Sequence, residues 1–299
     1  MKAVITLICT LLLPDFPSAS AVEFHGDRLY LIGDDANCIQ VLDKDYHVVR
    51  SIRISGATEK RIAKALKADY EAAALIRLHG RTYLMASGSL ATEKRRQLLL
   101  LPLPDGDSAD IHFIPYPPAF TAQLLNSGIN ELNIEGAAVV NDTLLLSNRG
   151  NNTWPQNQLV LTAPGFWEQA APPLSVVPLT LLTPTPVFAG VSELCYVPEK
   201  DLLLCTFSSE ATANAYDDGA IGDSYIGWIS NISLKLSQTT ITPDGMLNLT
   251  NADPAFKGEK IEGICLESIQ DNTLTLHLVS DNDAGASRLF KVSFTFNGE

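Results

Sequence analysis

Positive charge is scarce in this sequence. Its 299 residues include 21 Lys and Arg against 34 Asp and Glu, which gives a formal net charge of −13. Nucleic acid and anionic membrane surfaces repel a chain of this charge, so neither is a predicted partner. The charge instead suits cations, or an acidic site that holds a metal ion. No apolar run is long enough to cross a bilayer, so no membrane span is predicted either.

Cysteine pairs at metal or redox spacing are also missing. The five cysteines have no CxxC spacing, and most of them lie in apolar runs, where cysteine behaves as a small hydrophobe. They are Cys9, Cys38, Cys195, Cys205 and Cys265. We therefore expect reduced thiols and a cytoplasmic protein. The sequence also lacks a glycine-rich phosphate loop, and its five histidines are too scattered to indicate a catalytic pair.

The N-terminal segment has two interpretations. Residues 1–21 have a basic start, an apolar stretch and a small-residue end, as a secretory signal has. If they act as a signal, the protein is periplasmic or secreted. Against this, only Lys2 supplies positive charge, and Asp15 and two prolines follow the apolar stretch. We favour a β-strand near Val4–Leu12 that is retained in the protein.

Five segments of the chain repeat one pattern. Each has a Ser or Glu, an apolar run of mostly small residues, a turn, a second apolar run and a polar loop. The segments begin at Ser20, Glu71, Glu135, Ser192 and Glu262. Their turns contain Gly, Asn or Asp beside charged residues, as β-hairpins do. The pattern predicts an all-β fold: a single β-propeller domain over residues 1–299 with five four-stranded blades.

The last repeat is shorter than the others, so we expect the N-terminal strand to complete its blade. A rival architecture has six blades, with a degenerate one in Gln169–Ala189. Only the stretch Gly56–Leu75 is compatible with a helix, and it is predicted to lead into the second blade.

The Ser and Glu residues that open the repeats suggest a metal site. In a propeller the first strand of each blade lines the central channel, so these residues should converge at one end of it. Three carboxylates there would repel one another and raise each other's pKa values, whereas a cation removes the repulsion. Oxygen donors suit Ca²⁺ better than zinc or copper. The predicted metal-approaching residues are Ser20, Glu71, Glu135, Ser192 and Glu262. The alternative is that they cap strand ends and bind only water.

The polar loops that follow the second strands should surround the same mouth of the channel, since those strands run back toward it. The catalytic candidates in these loops are Arg149, Asp34 and Asp281, and the ligand-binding candidates are Asp35, Asn148, Glu210, Asp283 and Arg288. Acids and arginines around a metal ion suit an anionic small molecule.

Two family resemblances become visible once the repeats are aligned. The segments "LLPDFPSASAV", "NIEGAAVVNDTLLLSNRGN" and "KIEGICLESI" resemble a family of bacterial propeller proteins of unknown function. The order Ser, Glu, Glu, Ser, Glu at the strand starts is similar to that of the soluble calcium-activated nucleotidases, or apyrases. That resemblance implies a five-bladed propeller, a central calcium ion and hydrolysis of nucleoside di- and triphosphates. The sequence departs from the apyrase pattern after Glu71, where a tryptophan is missing, and around Ser192, where His-Glu-Ser-Ala is not matched.

Two functional classes follow from these observations. As an enzyme, the protein would be a metal-dependent hydrolase of a phosphorylated or otherwise anionic small molecule. The cation would polarise a substrate oxygen, Arg149 would hold negative charge, and Asp34 or Asp281 would position water. As a non-enzyme, the ion would be structural, and the loop rim would bind a ligand or a protein. We expect a monomer in both cases.

Overall fold

Five four-stranded antiparallel sheets form a ring around a central channel, so the predicted five-bladed propeller is confirmed. The computed structural model describes residues 2–181, 185, 187–217, 219–281 and 285–297. Blade one contains β2 (Ala19–His25), β3 (Arg28–Gly33), β4 (Cys38–Asp43) and β5 (Val48–Arg53). Blade two contains β6 (Tyr70–Leu78), β7 (Arg81–Gly88), β8 (Gln97–Pro102) and β9 (His112–Pro115). Blade three contains β10 (Ile134–Val140), β11 (Thr143–Asn148), β12 (Asn157–Thr162) and β13 (Ser175–Leu179).

The remaining two blades complete the ring. Blade four contains β14 (Ala189–Val197), β15 (Leu202–Glu210), β16 (Ile221–Ser230) and β17 (Gly245–Asn248). Blade five contains β18 (Lys260–Gln270), β19 (Thr273–Asp281), β20 (Ser287–Asn297) and, outermost, β1 (Lys2–Leu13). The first strand of each blade, namely β2, β6, β10, β14 or β18, is the inner strand. Each inner strand contacts the next, and β18 contacts β2, which closes the ring.

Helices are short and lie between strands. The α-helices are α1 (Pro118–Asn126), α2 (Ile232–Lys235) and α3 (Leu249–Ala252), and 3₁₀ turns cover Glu93–Arg95, Ser108–Asp110, Phe166–Glu168, Pro198–Lys200 and Pro254–Phe256. None of the helices in the described part of the chain is long and apolar enough to cross a membrane.

The helix expected in Gly56–Leu75 does not form: residues 56–69 are irregular, and β6 begins at Tyr70. The basic side chains of this segment instead reach carboxylates of the first two blades. Arg61 pairs with Asp35, and Lys67 pairs with Asp34 and Asp69. Helix propensity is a weak preference that such tertiary contacts override.

The hairpin turns predicted between first and second strands are present. Gly26 and Asp27 have φ angles of 57° and 60°, and His79 and Gly80 have φ angles of 49° and 79°. Positive φ at both central residues is the geometry that matches the twist of paired strands. These turns lie at the end of the blades away from the start of the inner strands.

The hydrophobic core is divided among the seams between blades. Five clusters of buried apolar residues each combine side chains from two neighbouring blades, one cluster for each seam. The seam between blades four and five, for example, contains Trp228 from β16 and Phe294 from β20, whose ring centroids lie 6.0 Å apart. Each blade therefore depends on both of its neighbours for the burial of its two faces.

The predicted N-terminal strand is also confirmed. β1 pairs antiparallel with β20 from Lys2↔Asn297 to Leu13↔Ser287, so the two ends of the chain share blade five. The rival six-bladed architecture is wrong. In the segment proposed for the extra blade, Ser175–Leu179 is the outer strand of blade three.

We predict that β1 contributes to folding stability through its buried face. Ile5 is 7% exposed and packs in the seam of blades four and five, whereas Ile8 on the same strand is 54% exposed. Ile5→Ala should lower the free energy of unfolding by about 2–4 kcal/mol, because it removes buried methyl groups and leaves a cavity. The matched control Ile8→Ala should change it by less than about 0.5 kcal/mol. Urea unfolding of both variants measures this difference. Equal losses of stability in the two variants would contradict the burial of Ile5 against its neighbouring blade.

Candidate functional site

The residues predicted to converge on the axis share one structural device. Each inner strand has a β-bulge at the predicted position, where the pairing with the second strand skips a residue. The bulged residues are Ser20, Glu71, Glu135, Ser192 with Glu193, and Glu262. A bulge inserts an unpaired residue and redirects its side chain. The same local irregularity is therefore repeated in all five blades at the same end of the channel.

The three glutamates meet as predicted. Glu71, Glu135 and Glu262 line one cavity of about 80 Å³ at the mouth of the channel. The two serines do not line it. The Ser20 hydroxyl donates to the Tyr70 carbonyl oxygen at 2.5 Å, and the Ser192 hydroxyl accepts from Arg149 at 3.1 Å.

The residue two positions before each glutamate differs among the three blades, and in two of them it binds the carboxylate. In blade three, the Asn133 side-chain amide donates to Glu135 Oε1 at 2.7 Å. In blade five, the Lys260 ammonium lies 2.8 Å from Glu262 Oε1. In blade two the corresponding residue is Asp69, which offers no proton. Among the described residues, the Glu71 carboxylate has no hydrogen-bond or ion-pair partner within ordinary distances.

Glu71 belongs to a close group of three acids. One carboxylate oxygen from each of Asp34, Asp69 and Glu71 lies within 4.8 Å of the other two. Burial raises the pKa of Glu71 well above its ordinary value, and the negative charges of Asp69 and Asp34 raise it further. Burial likewise raises the pKa of Asp34 to about 7, where Lys67 opposes the shift and Asp35 and Asp69 add to it. Glu71 and Asp34 therefore hold a proton more tightly than an exposed carboxylate does, chiefly because of their burial.

Two cations already contact this group from one side. The buried Lys67 ammonium bonds Asp34 Oδ2 and lies 2.7 Å from Asp69 Oδ1. Arg95 lies 2.6 Å from Asp69 Oδ2, which also accepts from the Ser89 hydroxyl. Both oxygens of Asp69 are therefore occupied, whereas Asp34 Oδ1 is buried and has no hydrogen-bond partner in the described part of the chain.

Arg149 is a buried connector between blades three and four. Its NH1 group donates to Ser192 at 3.1 Å and to Glu135 at 3.4 Å, and its NH2 group donates to the Ser208 carbonyl and to Glu210. Burial opposes the charged form of Arg149, but the carboxylates of Glu135 and Glu210 outweigh it and raise the pKa of the guanidinium. Residue 190 is a glycine because the Arg149 side chain passes close to it: a Cβ at Gly190 would lie 2.4 Å from Arg149 Nε.

Some of the remaining predicted site residues line the channel-mouth cavity, and others lie outside it. Asp34, Asp281 and Glu210 line the channel-mouth cavity with Arg149. Asp35 lines a second cavity beside it. Asn148 caps a loop by accepting from the Asn133 backbone N–H, and Arg288 pairs with Glu259 at 2.9 Å; neither lines the channel-mouth cavity. Asp283 lies outside the described residues.

Sequence reasoning missed several charged residues of the site, among them Lys67, Asp69 and Lys260. The signal for two of them is their spacing, because Asp69 and Lys260 both stand two positions before a repeat glutamate. Lys260 lies between Glu210 at 3.0 Å and Glu262 at 2.8 Å. Burial opposes its charged form, but these two carboxylates raise its pKa well above the ordinary value. Glu262 in turn has a pKa raised to about 8, because burial outweighs the contribution of Lys260.

Comparison with known protein families identifies the group to which this chain is related. The sequence matches the DUF6929 family, a family of unknown function, over residues 15–294. The chain belongs to that family. No curated protein matches the sequence, so the similarity to apyrases stays a prediction.

Solved structures similar to this DUF6929 chain are propeller-like. Glutaminyl cyclase of Myxococcus xanthus has a TM-score of 0.58 at 14% identity, covering 99% of this chain and 98% of its own. The α-L-arabinanase of Cellvibrio cellulosa has a TM-score of 0.55 at 12% identity, covering 97% and 94%. The tail fibre of Staphylococcus aureus phage P68 has a TM-score of 0.54 at 13% identity, covering 98% and 53%. At these identities the likeness shows the fold alone.

A different carboxylate, Glu193, lies deeper in the channel. It is 1% exposed and accepts backbone N–H groups from three inner strands: Ala73 of β6 at 3.2 Å, Ala137 of β10 at 2.7 Å and Leu194 of β14 at 2.9 Å. The inner strands have an unpaired edge toward the channel, and Glu193 satisfies donors on it. Burial raises the pKa of Glu193 well above its ordinary value despite these three bonds.

We predict a pH-dependent stability contribution from Glu23 on β2. Burial raises its pKa from 4.5 to about 8, with a small opposing effect from the Phe24 N–H. The folded chain therefore binds this proton more tightly than the unfolded chain, so the stabilisation is complete below about pH 4.5 and is lost as the pH rises to about 8. Glu23→Gln keeps the neutral form at every pH. Relative to the wild type, the variant should gain stability as the pH rises.

Urea unfolding at about pH 5 and at about pH 8 measures this difference. The control is Glu199→Gln, a change at an exposed position in the turn between β14 and β15. A Glu23→Gln stability difference that does not change with pH would contradict the prediction.

Proposed function

We propose that the mouth of the channel binds a divalent cation of the Ca²⁺ type through Asp34, Asp69 and Glu71. The observation that carries the proposal is the close approach of three carboxylates, with one oxygen of each within 4.8 Å of the others. One of the three, Glu71, has no hydrogen-bond or ion-pair partner among the described residues. Asp34 follows β3 of blade one, whereas Asp69 and Glu71 stand at the start of β6 in blade two. A cation there would connect two blades at the point where their acids repel each other.

The residues fit such an ion in two respects. First, the donors are all hard oxygen atoms, which Ca²⁺ prefers and which soft metals do not. Second, among the described residues Asp34 Oδ1 is buried without a hydrogen-bond partner, and no hydrogen bond or ion pair reaches the half-buried Glu71 carboxylate. Leaving a buried charged group unpaired is costly, and a cation offsets that cost.

The side chains that line the cavity carry a net negative formal charge, which favours the binding of a cation. Eight acidic and five basic side chains line it, so its formal charge is −3. Because Lys67 contacts both Asp34 and Asp69, the ion would share these carboxylates with the lysine. Glu71 is thus the residue on which ion binding depends most, since nothing else competes for its oxygens.

A more specific hypothesis for this site is that the protein is a metal-dependent hydrolase. Arg95, Arg149 and Lys260 line the same cavity as the acids and would attract an anionic small molecule. A bound ion would supply a Lewis acid for a substrate oxygen. Since Arg149 already donates to two carboxylates, it would act on a substrate chiefly through its charge. The alternative is a non-enzymatic propeller with a structural ion and a ligand- or protein-binding rim.

We predict that Glu71→Gln changes stability and calcium response in opposite directions. Without calcium the variant should become more stable than the wild type as the pH rises, because burial and the charges of Asp69 and Asp34 make the ionised form of Glu71 unfavourable in the folded chain. With calcium at about 100 times the Kd, the wild type should gain about 2.7 kcal/mol, and the variant should gain much less. Thermal melting with calcium, magnesium, zinc or a chelator measures both effects.

Glu199→Gln is the matched control, because it makes the same chemical change at an exposed site on the far end of the blade. It should respond to calcium as the wild type does. An equal calcium shift in Glu71→Gln and wild type would refute binding at Glu71.

The hydrolase hypothesis has its own test. Purified protein with millimolar-range calcium is incubated with nucleoside triphosphates, sugar phosphates and lactones, and product release is followed. Activity should disappear with chelator and fall by about 10²-fold or more in Glu71→Gln if the ion takes part in the reaction. A calcium-dependent melting shift without turnover of any of these compounds would favour the structural ion.

A further inference from the structure

A second cavity, of about 300 Å³, lies beside the channel-mouth cavity. The loop after β3 forms one wall, and the irregular segment 61–67 forms another. Its charged lining residues are Asp34, Asp35, Arg61, Lys64, Lys67 and Asp281. The volume is near the lower limit of cavities that hold small organic ligands.

Two adjacent carboxylates in its wall each have one unsatisfied oxygen. Among the described residues, Asp34 Oδ1 and Asp35 Oδ1 are both buried and without a hydrogen-bond partner. The Asp35 side chain is 8% exposed, and in this part of the chain it is bonded by Arg61, whose Nε and NH2 both donate to Oδ2 at 2.7 Å. A buried carboxylate oxygen without a donor is costly, so the pair favours a ligand that brings N–H groups.

The sign of the surrounding charges narrows the class of ligand. Three acids and three bases line the cavity, so its formal charge is zero although both signs are present. A ligand that carries one positive and one negative group matches this lining better than a bare cation or a bare anion.

We propose that this cavity binds the ammonium group of a small zwitterionic amino compound, of which an α-amino acid is the simplest, through Asp34 and Asp35. The anionic group of the compound faces the basic side chains of segment 61–67. This site shares Asp34 with the proposed cation site. Asp35 belongs only to the amino-compound site, and Glu71 belongs only to the cation site.

Arg61 would share Asp35 with the ligand. Its side chain is 54% exposed and donates to Oδ2 of Asp35, which leaves Oδ1 as the oxygen for the ammonium group.

Titration calorimetry on the wild type tests the proposal. Glycine, L-alanine, L-glutamate and L-lysine are each titrated at concentrations up to about 10 mM, and at least one should bind with a Kd below about 1 mM. Its N-acetyl derivative, which lacks the ammonium charge, should bind at least about tenfold more weakly. Failure of all four to bind, or equal binding of the acetylated form, overturns the proposal.

Two variants separate this site from the cation site. Asp35→Asn should weaken amino acid binding by about tenfold or more while it leaves the calcium response unchanged, because Asp35 is not one of the three clustered acids. Glu71→Gln should have the reverse effect. An unchanged amino acid affinity in Asp35→Asn overturns the proposal. If that variant does not fold, the comparison of free and acetylated amino acids still decides, and neither result depends on calcium binding.

Discussion

The structure at the channel mouth depends on the electrostatic cost of bringing carboxylates together away from water. Five bulges lie at one end of the channel, and three of them place a glutamate in the cavity at its mouth. In two blades a donor two positions earlier in the chain binds the carboxylate: the neutral amide of Asn133 or the ammonium of Lys260. In blade two the same position is Asp69, so Glu71 lies beside further acids instead of beside a donor.

The contrast among blades explains why the propeller repeats are similar but not equivalent. A symmetric ring would distribute its charges evenly around the channel. Here Arg149 is buried among groups of blades three and four, and Lys260 bridges blades four and five. Blades one and two share the clustered acids, and the second cavity lies next to them. The candidate binding sites are therefore confined to one sector of the rim.

Much of this architecture could be predicted from the sequence because it is periodic. The repeated Ser or Glu, the turn residues and the short last repeat were enough to predict five blades, the convergence of Glu71, Glu135 and Glu262, and the closure by β1. The pairing of charges was not predictable in the same way. Lys67 lies in a segment whose local preference is helical, and only its contacts with Asp34 and Asp69 place it at the mouth. Ion pairs between distant segments leave no periodic trace in a sequence.

Glu193 has a consequence for the mechanical coupling of the ring. Its buried carboxylate accepts N–H groups from three inner strands, below the level of the mouth. These bonds join blades two, three and four through one side chain, so a displacement of any of these blades strains its bond to Glu193.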